Sequence, residues 1–483
     1  MRNYWLRAGS MLSSGRVSPA ASSARTRKAL PPQSDLAKSP VRAYETRLSQ
    51  RLSGFVLFSL SRSRYLARMT DVARTTATIL RLGHQGDGVA HGPLFAPRTL
   101  PDEQVSGVQE GTQLTDIRIE TPSEHRIAAP CRHYKSCGGC QLQHASNDFV
   151  AHWKLGIVEK ALEAQGVETT FRPIHTSPAQ SRRRATLAVR RTKKGAMAGF
   201  HGRASGVITP IPDCQLLDPD LIAAIPLAEA LAMAGASRKT PLSVTLTTSE
   251  TGLDVMVREG KPLDSALRSA LAALAGQHGV ARLTWEDEQV AMEQPPLQAF
   301  GLARVCPPAG SFLQATRDGE AALLAGVLEI TKGAKRIVDF FAGCGTFSLP
   351  LAAQAEVLAL EGEPAMIKAL ENGWRQARGL KKVTAEVRDL FRNPLLPEDL
   401  KPFGAFYEAA VIDPPRAGAE AQVAQLAEAR MPVIAYVSCN PVTFARDAKA
   451  LVEAGYGLNW VQVVDQFRWS AHTELVASFS LDD

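Results

Sequence analysis

The chain has 483 residues, of which 45% are hydrophobic and 21% are charged, and its formal net charge is +7. This length allows two or three domains with cores of their own, and the composition is that of a soluble globular protein, which excludes a chain disordered throughout. Seven cysteines in a chain of this length exclude a disulfide framework and favour an intracellular, reducing compartment.

The positive charge is concentrated in the first 68 residues. They contain 13 lysines and arginines but only two acids, Asp35 and Glu45, a charge of +11 that leaves −4 for residues 69–483. The segment is rich in serine and arginine, which is typical of a disordered arm or an organellar transit peptide. A third interpretation is an overextended start, with folding beginning near Met69. The apolar patch at 55–60 is too short to cross a bilayer.

Residues 69–128 predict a small β-barrel. Short strands are expected over 75–82, 89–97 and 113–121, with a glycine-rich corner over 83–88. Several short strands punctuated by glycines are typical of such a barrel.

Residues 129–304 predict a mixed α+β central domain. We expect an amphipathic helix over 147–165, a basic strand over 182–191, and a hairpin that joins strands 242–247 and 253–257. The densest basic stretch after the tail lies here. A charge run is often only a solvated face, but this one also suits RNA phosphates. Its members are Arg182, Arg183, Arg184, Arg190, Arg191, Lys193 and Lys194.

Three cysteines are crowded at the start of the central domain. Cys131, Cys137 and Cys140 follow the pattern C-x5-C-x2-C, and Cys214 is a candidate fourth ligand. Four thiolates suit either a tetrahedral zinc ion or an iron–sulfur cluster. Zinc sites favour paired C-x2-C knuckles, and the second pair is absent from this sequence.

From residue 305 to residue 483 the chain alternates regularly between strand and helix patterns. Such alternation predicts a doubly wound α/β sheet, here with an antiparallel ending. The expected strands are 336–341, 357–360, 384–387, 409–412, 433–437, 459–464 and 475–481.

The first of these strands runs into Ala342-Gly343-Cys344-Gly345-Thr346 and then an apolar helix start. Glycines at such a turn let backbone N–H groups approach a ligand at the amino end of a helix. Many α/β proteins need glycines for packing alone. Here, however, Glu361 also ends the second strand, where an acid can bind ribose hydroxyls. The sequence Asp339-Phe340-Phe341-Ala342-Gly343-Cys344-Gly345 resembles motif I of class I S-adenosylmethionine-dependent methyltransferases.

Two further strands end in segments that carry chemistry. Asp413-Pro414-Pro415-Arg416-Ala417-Gly418 follows one strand, and Ser438-Cys439-Asn440-Pro441 follows the next. We expect Asp413 and Cys439 side by side at the carboxyl edge of the sheet, where open sheets bind ligands. Intracellular cysteines are usually packing residues. At this edge, however, Cys439 is a candidate nucleophile, because a thiolate is strongly nucleophilic.

Together the two segments resemble the signature of the RNA uracil carbon-5 methyltransferases, and the resemblance covers residues 75–481. It implies that Cys439 adds to carbon 6 of uracil, that the activated carbon 5 takes the methyl group, and that a base removes the carbon-5 proton. The family places this base in a Ser-x-His-x-Glu segment. Here that segment is Ser470-Ala471-His472-Thr473-Glu474, so Glu474 is the expected base. Residues that depart from the family's common form are Arg468, Trp469 and Thr473.

The resemblance also implies a set of cofactor contacts. Phe312-Leu313-Gln314 resembles the family's F-x-Q element, and Thr346 stands where asparagine is commoner. Asp413 is also placed to hold the uracil. The implied contacts with S-adenosylmethionine are Gln314, Phe341, Thr346, Glu361, Asp389 and Asp413.

Two other parts of the chain resemble parts of this family. The cysteine pattern resembles the [4Fe-4S] site of some members, with zinc less favoured, and the implied ligands are Cys131, Cys137, Cys140 and Cys214. The small barrel resembles the RNA-binding TRAM module.

We therefore expect an enzyme that forms 5-methyluridine in RNA, with 23S ribosomal RNA favoured over transfer RNA as the substrate. We expect it in the cytoplasm, without a membrane or an obligate protein partner, although the basic tail leaves organellar targeting open. The alternative from another class is a non-catalytic RNA-binding assembly factor that keeps the fold and the metal site.

Overall fold

The computed structural model describes residues 73–400 and 406–481. The basic tail, residues 1–68, lies outside the described residues, so its three interpretations stay open. Within the part of the chain that is described, no helix is long and apolar enough to span a membrane.

The first sheet is N-terminal and closes on itself. β1 pairs with β5 and β2 pairs with β3, and because β1 and β2 belong to one continuous run of chain, the two ends of the sheet are joined. This is the expected small barrel. Its strands are β1 (Thr75–Thr78), β2 (Arg81–Leu82), β3 (Gly88–Ala90), β4 (Leu94–Ala96), β5 (Gln104–Glu110) and β6 (Gln113–Thr121).

Strand β5 is not predicted from the sequence. Gly107 in its middle is a residue type that weakens strands and often marks turns. A side chain at this position would meet Leu114 Cγ and the carbonyl oxygen of Thr115, each at 2.7 Å. Gly107 therefore permits the close approach of β6 rather than a turn.

The central part of the chain contains a seven-stranded sheet in the order β10-β9-β8-β11-β12-β13-β14, covered by three helices. Its strands are β8 (Arg184–Arg191), β9 (Ala196–His201), β10 (Ile208–Pro210), β11 (Leu242–Ser249), β12 (Gly252–Arg258), β13 (Val280–Trp285) and β14 (Glu288–Met292). The helices here are α1 (Asn147–Glu163), α2 (Pro219–Ala223), α3 (Ile225–Gly235) and α4 (Ser265–Gln277). A two-stranded hairpin of β15 (Gln298–Phe300) and β16 (Ala303–Val305) follows.

The third sheet has eight strands in the order β19-β18-β17-β20-β21-β23-β22-β7, where β7 is the strand Phe171–Thr176. Strands β17 to β21 are parallel, whereas β23 is antiparallel to both of its neighbours, as the sequence predicts. The strands are β17 (Arg336–Phe340), β18 (Glu356–Glu361), β19 (Val383–Val387), β20 (Ala409–Ile412), β21 (Val433–Ser438), β22 (Tyr456–Asp465) and β23 (Leu475–Leu481). The helices are α5 (Arg317–Ile330), α6 (Ser348–Leu351), α7 (Pro364–Gln376), α8 (Glu420–Ala429) and α9 (Pro441–Glu453).

Strand order reverses at β17, which lies between β18 and β20. Such a switch point leaves a crevice beyond the carboxyl ends of the strands, and this is where α/β sheets bind ligands. The glycine turn follows β17, and Asp413 and Cys439 follow β20 and β21. The topology therefore brings the sequence motifs to one edge of the sheet.

A segment ahead of the C-terminal sheet also contributes to it. Strand β7 (Phe171–Thr176) pairs in parallel with β22 at the sheet's edge. Val158 and Leu162 of α1 lie in the same apolar core as Tyr436 and Phe444. The predicted domain boundaries at residues 128 and 304 stay predictions. Residues 147–176, which precede the boundary at 304, pack on the C-terminal sheet that follows it.

Candidate active site

The glycine turn after β17 has three residues in the left-handed region. Phe341, Gly343 and Gly345 have φ angles of 62°, 55° and 95°. The predicted strand 336–341 therefore ends one residue early, because Phe341 leaves the extended conformation. A Cβ on Gly345 would lie 2.8 Å from Leu349 Cδ1, whereas a Cβ on Gly343 would meet nothing within 4 Å. The backbone at Gly343 thus borders open space, where a ligand could approach it closely.

Acidic residues surround this turn. Glu361 at the end of β18 accepts hydrogen bonds from the backbone N–H of Gly343 and of Glu363, both at 3.0 Å. Asp389 accepts from the N–H of Phe391 at 3.1 Å, and the ring of Phe391 lies 5.5 Å from that of Phe341. Of the other candidate cofactor contacts, Thr346 is half-buried within the turn.

Asp339 is a further acid at this edge, and the sequence did not single it out as a site residue. It is fully buried in β17, and Ser348 Oγ donates to its Oδ2 at 2.5 Å. Burial raises the pKa of Asp339 to about 7, and the nearby charge of Asp413 adds to this effect. Its side chain links the strand before the turn to the helix after it.

Four side chains form a hydrogen-bonded chain across the crevice. Gln314 Nε2 donates to Asp413 Oδ2 at 3.2 Å. Gln466 Nε2 donates to Gln314 Oε1 at 2.5 Å and to Glu474 Oε2 at 3.1 Å. A predicted cofactor contact and the predicted base are thus connected through Gln466, a residue that the sequence reasoning missed.

Of the two acids at the ends of this chain, Glu474 is buried and Asp413 is half-buried. Burial raises the pKa of Asp413 to about 7, although the hydrogen bond from Gln314 opposes the shift. Burial also raises the pKa of Glu474 well above its usual range, and the charge of Asp413 raises it further. Gln466 and Arg416 act in the opposite direction. Protonation of one carboxyl group therefore depends on the charge of the other.

Cys439 follows β21 and is half-buried at the same edge. Burial raises the pKa of its thiol to about 12, and the charges of Glu474 and Asp413 contribute, whereas Arg416 opposes them. Without a ligand the thiol is therefore protonated at neutral pH. Asp413 and Glu474 are close enough for their charges to act on this thiol, so the structure brings the predicted nucleophile and base together.

The two signature segments are tied to each other by Asn440. Its Nδ2 donates to the carbonyl oxygen of Arg416 at 2.8 Å, and its Oδ1 accepts from Val442 N at 3.2 Å. Asn440 is thereby the N-cap of α9, with Pro441 at the first helical position. The Cys-Asn-Pro sequence therefore sets the strand-to-helix turn that presents Cys439.

Arg416 also reaches the segment that carries the base. Its Nη2 donates to His472 Nδ1 at 3.0 Å. Burial lowers the pKa of His472 to about 4, and the charge of Arg416 adds to this effect. His472 is therefore neutral at pH 7 and able to accept this hydrogen bond.

The base segment is anchored from the far side by α1 and the cysteine loop. Lys154 Nζ lies 2.5 Å from Asp465 Oδ1 and donates to the carbonyl oxygen of Phe467 at 3.1 Å. The carbonyl oxygen of Trp469 accepts from the N–H groups of Gln141 and Leu142 at 2.8 and 3.0 Å. Trp469 is one of the residues that depart from the family's common form. Its side chain packs in the core of the central sheet, and its φ is 60°.

The four candidate metal-ligating cysteines line one cavity of about 20 Å³. Cys131, Cys137, Cys140 and Cys214 share it with the apolar side chains of Phe200, Ile211 and Leu216, among others. Burial raises the pKa of Cys140 to about 12 and raises those of Cys137 and Cys214. Among residues 73–400 and 406–481, however, no three His, Cys, Asp or Glu side chains are placed closely enough to hold a metal ion. The four cysteines therefore border one cavity but, as placed, do not form a metal site.

The basic stretch divides into two parts. Arg183 is buried, and it donates to the carbonyl oxygen of Gln314 at 3.0 Å and to Glu320 at 2.5 Å, so it supports the cofactor side of the crevice. Arg182 lies 5.7 Å over the ring of Phe467. Lys193 and Lys194 are exposed beyond the other end of β8. Only part of the run is therefore a solvated basic face.

Residues 307–479 match the sequence profile of the family described as tRNA (Uracil-5-)-methyltransferase. An uncharacterised RNA methyltransferase of Rhizobium meliloti is 42% identical over 412 residues, which cover 83% of this chain and 98% of that protein. The 23S rRNA (uracil(1939)-C(5))-methyltransferase RlmD of Shewanella piezotolerans is 31% identical over 443 residues, which cover 85% of this chain and 96% of that protein.

A solved structure has a similar fold. The tRNA (uracil-54, C5)-methyltransferase of Pyrococcus abyssi, in complex with S-adenosyl-L-homocysteine, superposes with a TM-score of 0.65 at 22% identity. The superposition covers 84% of this chain and 99% of that one. The likeness therefore extends across the barrel, the central sheet and the C-terminal sheet.

Proposed function

The chain belongs to the family of RNA uracil-C5 methyltransferases, and on that premise we propose that it forms 5-methyluridine in 23S ribosomal RNA through a covalent adduct between Cys439 and uracil. The observation that carries this proposal is the placement of Cys439 beside Asp413 and Glu474, at the crevice into which the glycine turn opens.

Cys439 begins the reaction as a thiolate, having given its proton to solvent, by bonding to carbon 6 of uracil. The carbon 5–carbon 6 double bond opens, its electrons move toward the carbonyl at carbon 4, and carbon 5 becomes nucleophilic. Bound S-adenosylmethionine would supply the methyl group from its positively charged sulfonium, and it would leave as neutral S-adenosylhomocysteine when the methyl–sulfur bond breaks. A positive charge near Cys439 favours the thiolate and counters the burial that raises the pKa of this thiol to about 12.

Glu474 completes the reaction as the general base. After carbon 5 has taken the methyl group, this carbon still carries its proton, and Glu474 removes it. The electrons of the carbon–hydrogen bond restore the double bond, the sulfur–carbon 6 bond breaks, and Cys439 leaves as a thiolate. For this step the Glu474 carboxyl group must be ionised, although its burial favours the neutral form.

The chain's own residues around the glycine turn fit the cofactor. The open space at Gly343 admits a ligand against the backbone, and Glu361 suits ribose hydroxyls. Phe341 and Phe391 offer aromatic surface for an adenine ring, with Asp389 beside them. The remaining proposed contacts are Gln314, Thr346 and Asp413.

The choice of 23S ribosomal RNA rests on the relative from Shewanella, whose length is covered almost entirely at 31% identity. Transfer RNA is the alternative substrate. We propose a cytoplasmic location by analogy with the relatives, and organellar targeting by the basic tail is the alternative. To test the choice of substrate, the purified protein is incubated with labelled S-adenosylmethionine and with either 23S RNA or transfer RNA isolated from cells that lack the gene. We expect label in 5-methyluridine of 23S RNA, whereas label confined to transfer RNA would reassign the substrate.

We also propose that Cys131, Cys137, Cys140 and Cys214 hold a [4Fe-4S] cluster with a structural role. Four thiols around one cavity are a donor set that suits such a cluster, and zinc is the alternative. An anaerobic preparation should be brown and contain about four iron atoms per chain, in keeping with a Cys₄ cluster. A colourless preparation with one zinc per chain would contradict the cluster.

A non-catalytic RNA-binding assembly factor is the candidate from another class. It predicts RNA binding without methyl transfer in the assay above. The presence of Cys439, Asp413 and Glu474 together in the crevice favours the enzyme.

A further inference from the structure

Gln466 lies at the end of β22, where it is 2% exposed and surrounded by polar groups from other elements. Its amide contacts the backbone of Ala315 and the side chains of Gln314 and Glu474. Gln314 is a proposed cofactor contact, and Glu474 is the proposed base. No other described residue hydrogen-bonds both of these side chains.

The orientation of this amide is fixed by the backbone. Ala315 N–H is a donor, and it lies 2.7 Å from Oε1 of Gln466, so the oxygen of the amide must face it. The NH₂ group then faces Gln314 Oε1 and Glu474 Oε2, with one hydrogen for each. Because Gln314 accepts through its oxygen, its own NH₂ group faces Asp413. Both amides therefore donate toward a carboxyl group.

A donor at this position favours the ionised form of Glu474. The other charged or titratable groups that act on this carboxyl group are Asp413, Arg416 and Cys439. Asp413 disfavours a second negative charge nearby, and burial has the same effect, so Arg416 and Gln466 are the groups that oppose protonation. Of these two, Gln466 has a hydrogen bond to the carboxyl oxygen.

We propose that Gln466 is a positioning residue that holds Glu474 aimed and in its proton-accepting form, and that it connects this base to the cofactor contact Gln314. This inference rests on the proposed function. It assigns Gln466 to the last step of the reaction, the removal of the carbon-5 proton and the release of Cys439. Formation of the covalent adduct precedes that step and does not need an ionised Glu474.

Two variants test the proposal without depending on each other. Gln466→Met removes the donor at similar length, and Gln466→Glu keeps the shape but replaces the donor with an acidic group. Both changes disfavour ionisation of Glu474. The matched control is Gln462→Met, because Gln462 lies in β22 four residues before Gln466, is half-buried, and donates through its side chain to the carbonyl oxygen of Pro173.

The two steps are measured separately at several pH values. Adduct formation is followed on 5-fluorouridine RNA, since fluorine cannot leave as a proton does, and proton removal is followed as tritium released from [5-³H]uridine RNA. In either Gln466 variant we expect adduct formation close to that of the unsubstituted protein. Tritium release at pH 7 should fall about tenfold or more, the effect of losing one hydrogen bond to a charged group, and should recover as the pH is raised.

Gln462→Met should match the unsubstituted protein in both measurements. The proposal would be overturned if tritium release had the same pH profile in the Gln466 variants as in the unsubstituted protein. It would also be overturned if adduct formation and tritium release fell in parallel at every pH. Absence of any adduct in the unsubstituted protein would instead contradict the proposed function.

Discussion

Lys154 Nζ lies 2.5 Å from Asp465 Oδ1, and the side chains of both residues are almost fully buried. The two residues are 311 positions apart, on α1 and at the end of β22. This ion pair fixes the point at which the chain leaves β22 for Gln466 and Glu474. The helix ahead of the central sheet therefore helps to place the proposed base.

Removing one partner of this pair should be costly. We expect Lys154→Met to lower the free energy of unfolding by about 3–5 kcal/mol, because Asp465 is left buried without its counter-ion. Urea denaturation measures the change. The control is Lys160→Met in the same helix, where the side chain is exposed and the loss should stay below about 1 kcal/mol. Equal losses in the two variants would contradict the importance of the buried pair.

Gly343 and Gly333 offer a matched test of the cofactor site. Both have positive φ angles, 55° and 88°, and a Cβ at either position would meet nothing within 4 Å. Alanine at either position should therefore lower the free energy of unfolding by a similar amount, about 1–2 kcal/mol, because a residue with a Cβ is strained in the left-handed conformation. Only Gly343→Ala places a methyl group in the proposed cofactor space, and we expect it alone to weaken S-adenosylhomocysteine binding, measured by calorimetry. If Gly343→Ala and Gly333→Ala bound S-adenosylhomocysteine with equal affinity, the cofactor would not lie against this turn.

Charge on the cofactor should control the reactivity of Cys439. Without a ligand its pKa is raised to about 12, so alkylation by iodoacetamide should be slow at pH 7 and should accelerate as the pH rises toward that value. S-adenosylmethionine, which is a cation, should increase alkylation of Cys439 at pH 7 relative to uncharged S-adenosylhomocysteine. Mass spectrometry of the Cys439 peptide measures this. The same rate with both ligands would refute the electrostatic effect.

The cysteine loop should affect the dynamics of the base segment. Gln141 and Leu142 donate to Trp469, and both residues directly follow Cys140. We expect Cys140→Ala to increase hydrogen exchange of backbone amides over residues 467–474, while exchange in strand β19 stays unchanged. Faster exchange confined to residues 131–143 would show that the two segments are independent.

The sequence predicts the C-terminal sheet well because strand patterns and glycine turns are local signals. The end of the first strand at Phe340 was misplaced by one residue, since nothing local indicates that an aromatic residue adopts a positive φ. Strand β5 was missed because Gly107 suits a turn as well as a close approach between strands. Strand β7 was missed because its pairing partner lies almost 290 residues further along the chain.

The chemical motifs could be predicted because they are also local signals in the sequence. The residues that support them could not be predicted in this way. Cys439, Asp413 and Glu474 lie in recognisable segments, although their roles stay predictions. Gln466 and Lys154 have no motif of their own, and their importance comes from contacts with residues more than 150 positions away. Such contacts depend on the folded sheet, so no local pattern indicates them.

The most direct test is the mass of the complex formed with 5-fluorouridine RNA and S-adenosylmethionine. We predict a covalent complex in which Cys439 is joined to a methylated 5-fluorouracil, and no such complex with the Cys439→Ala variant. A complex that survives this substitution, or its absence from the unsubstituted protein alongside active methyl transfer, would contradict nucleophilic catalysis by Cys439.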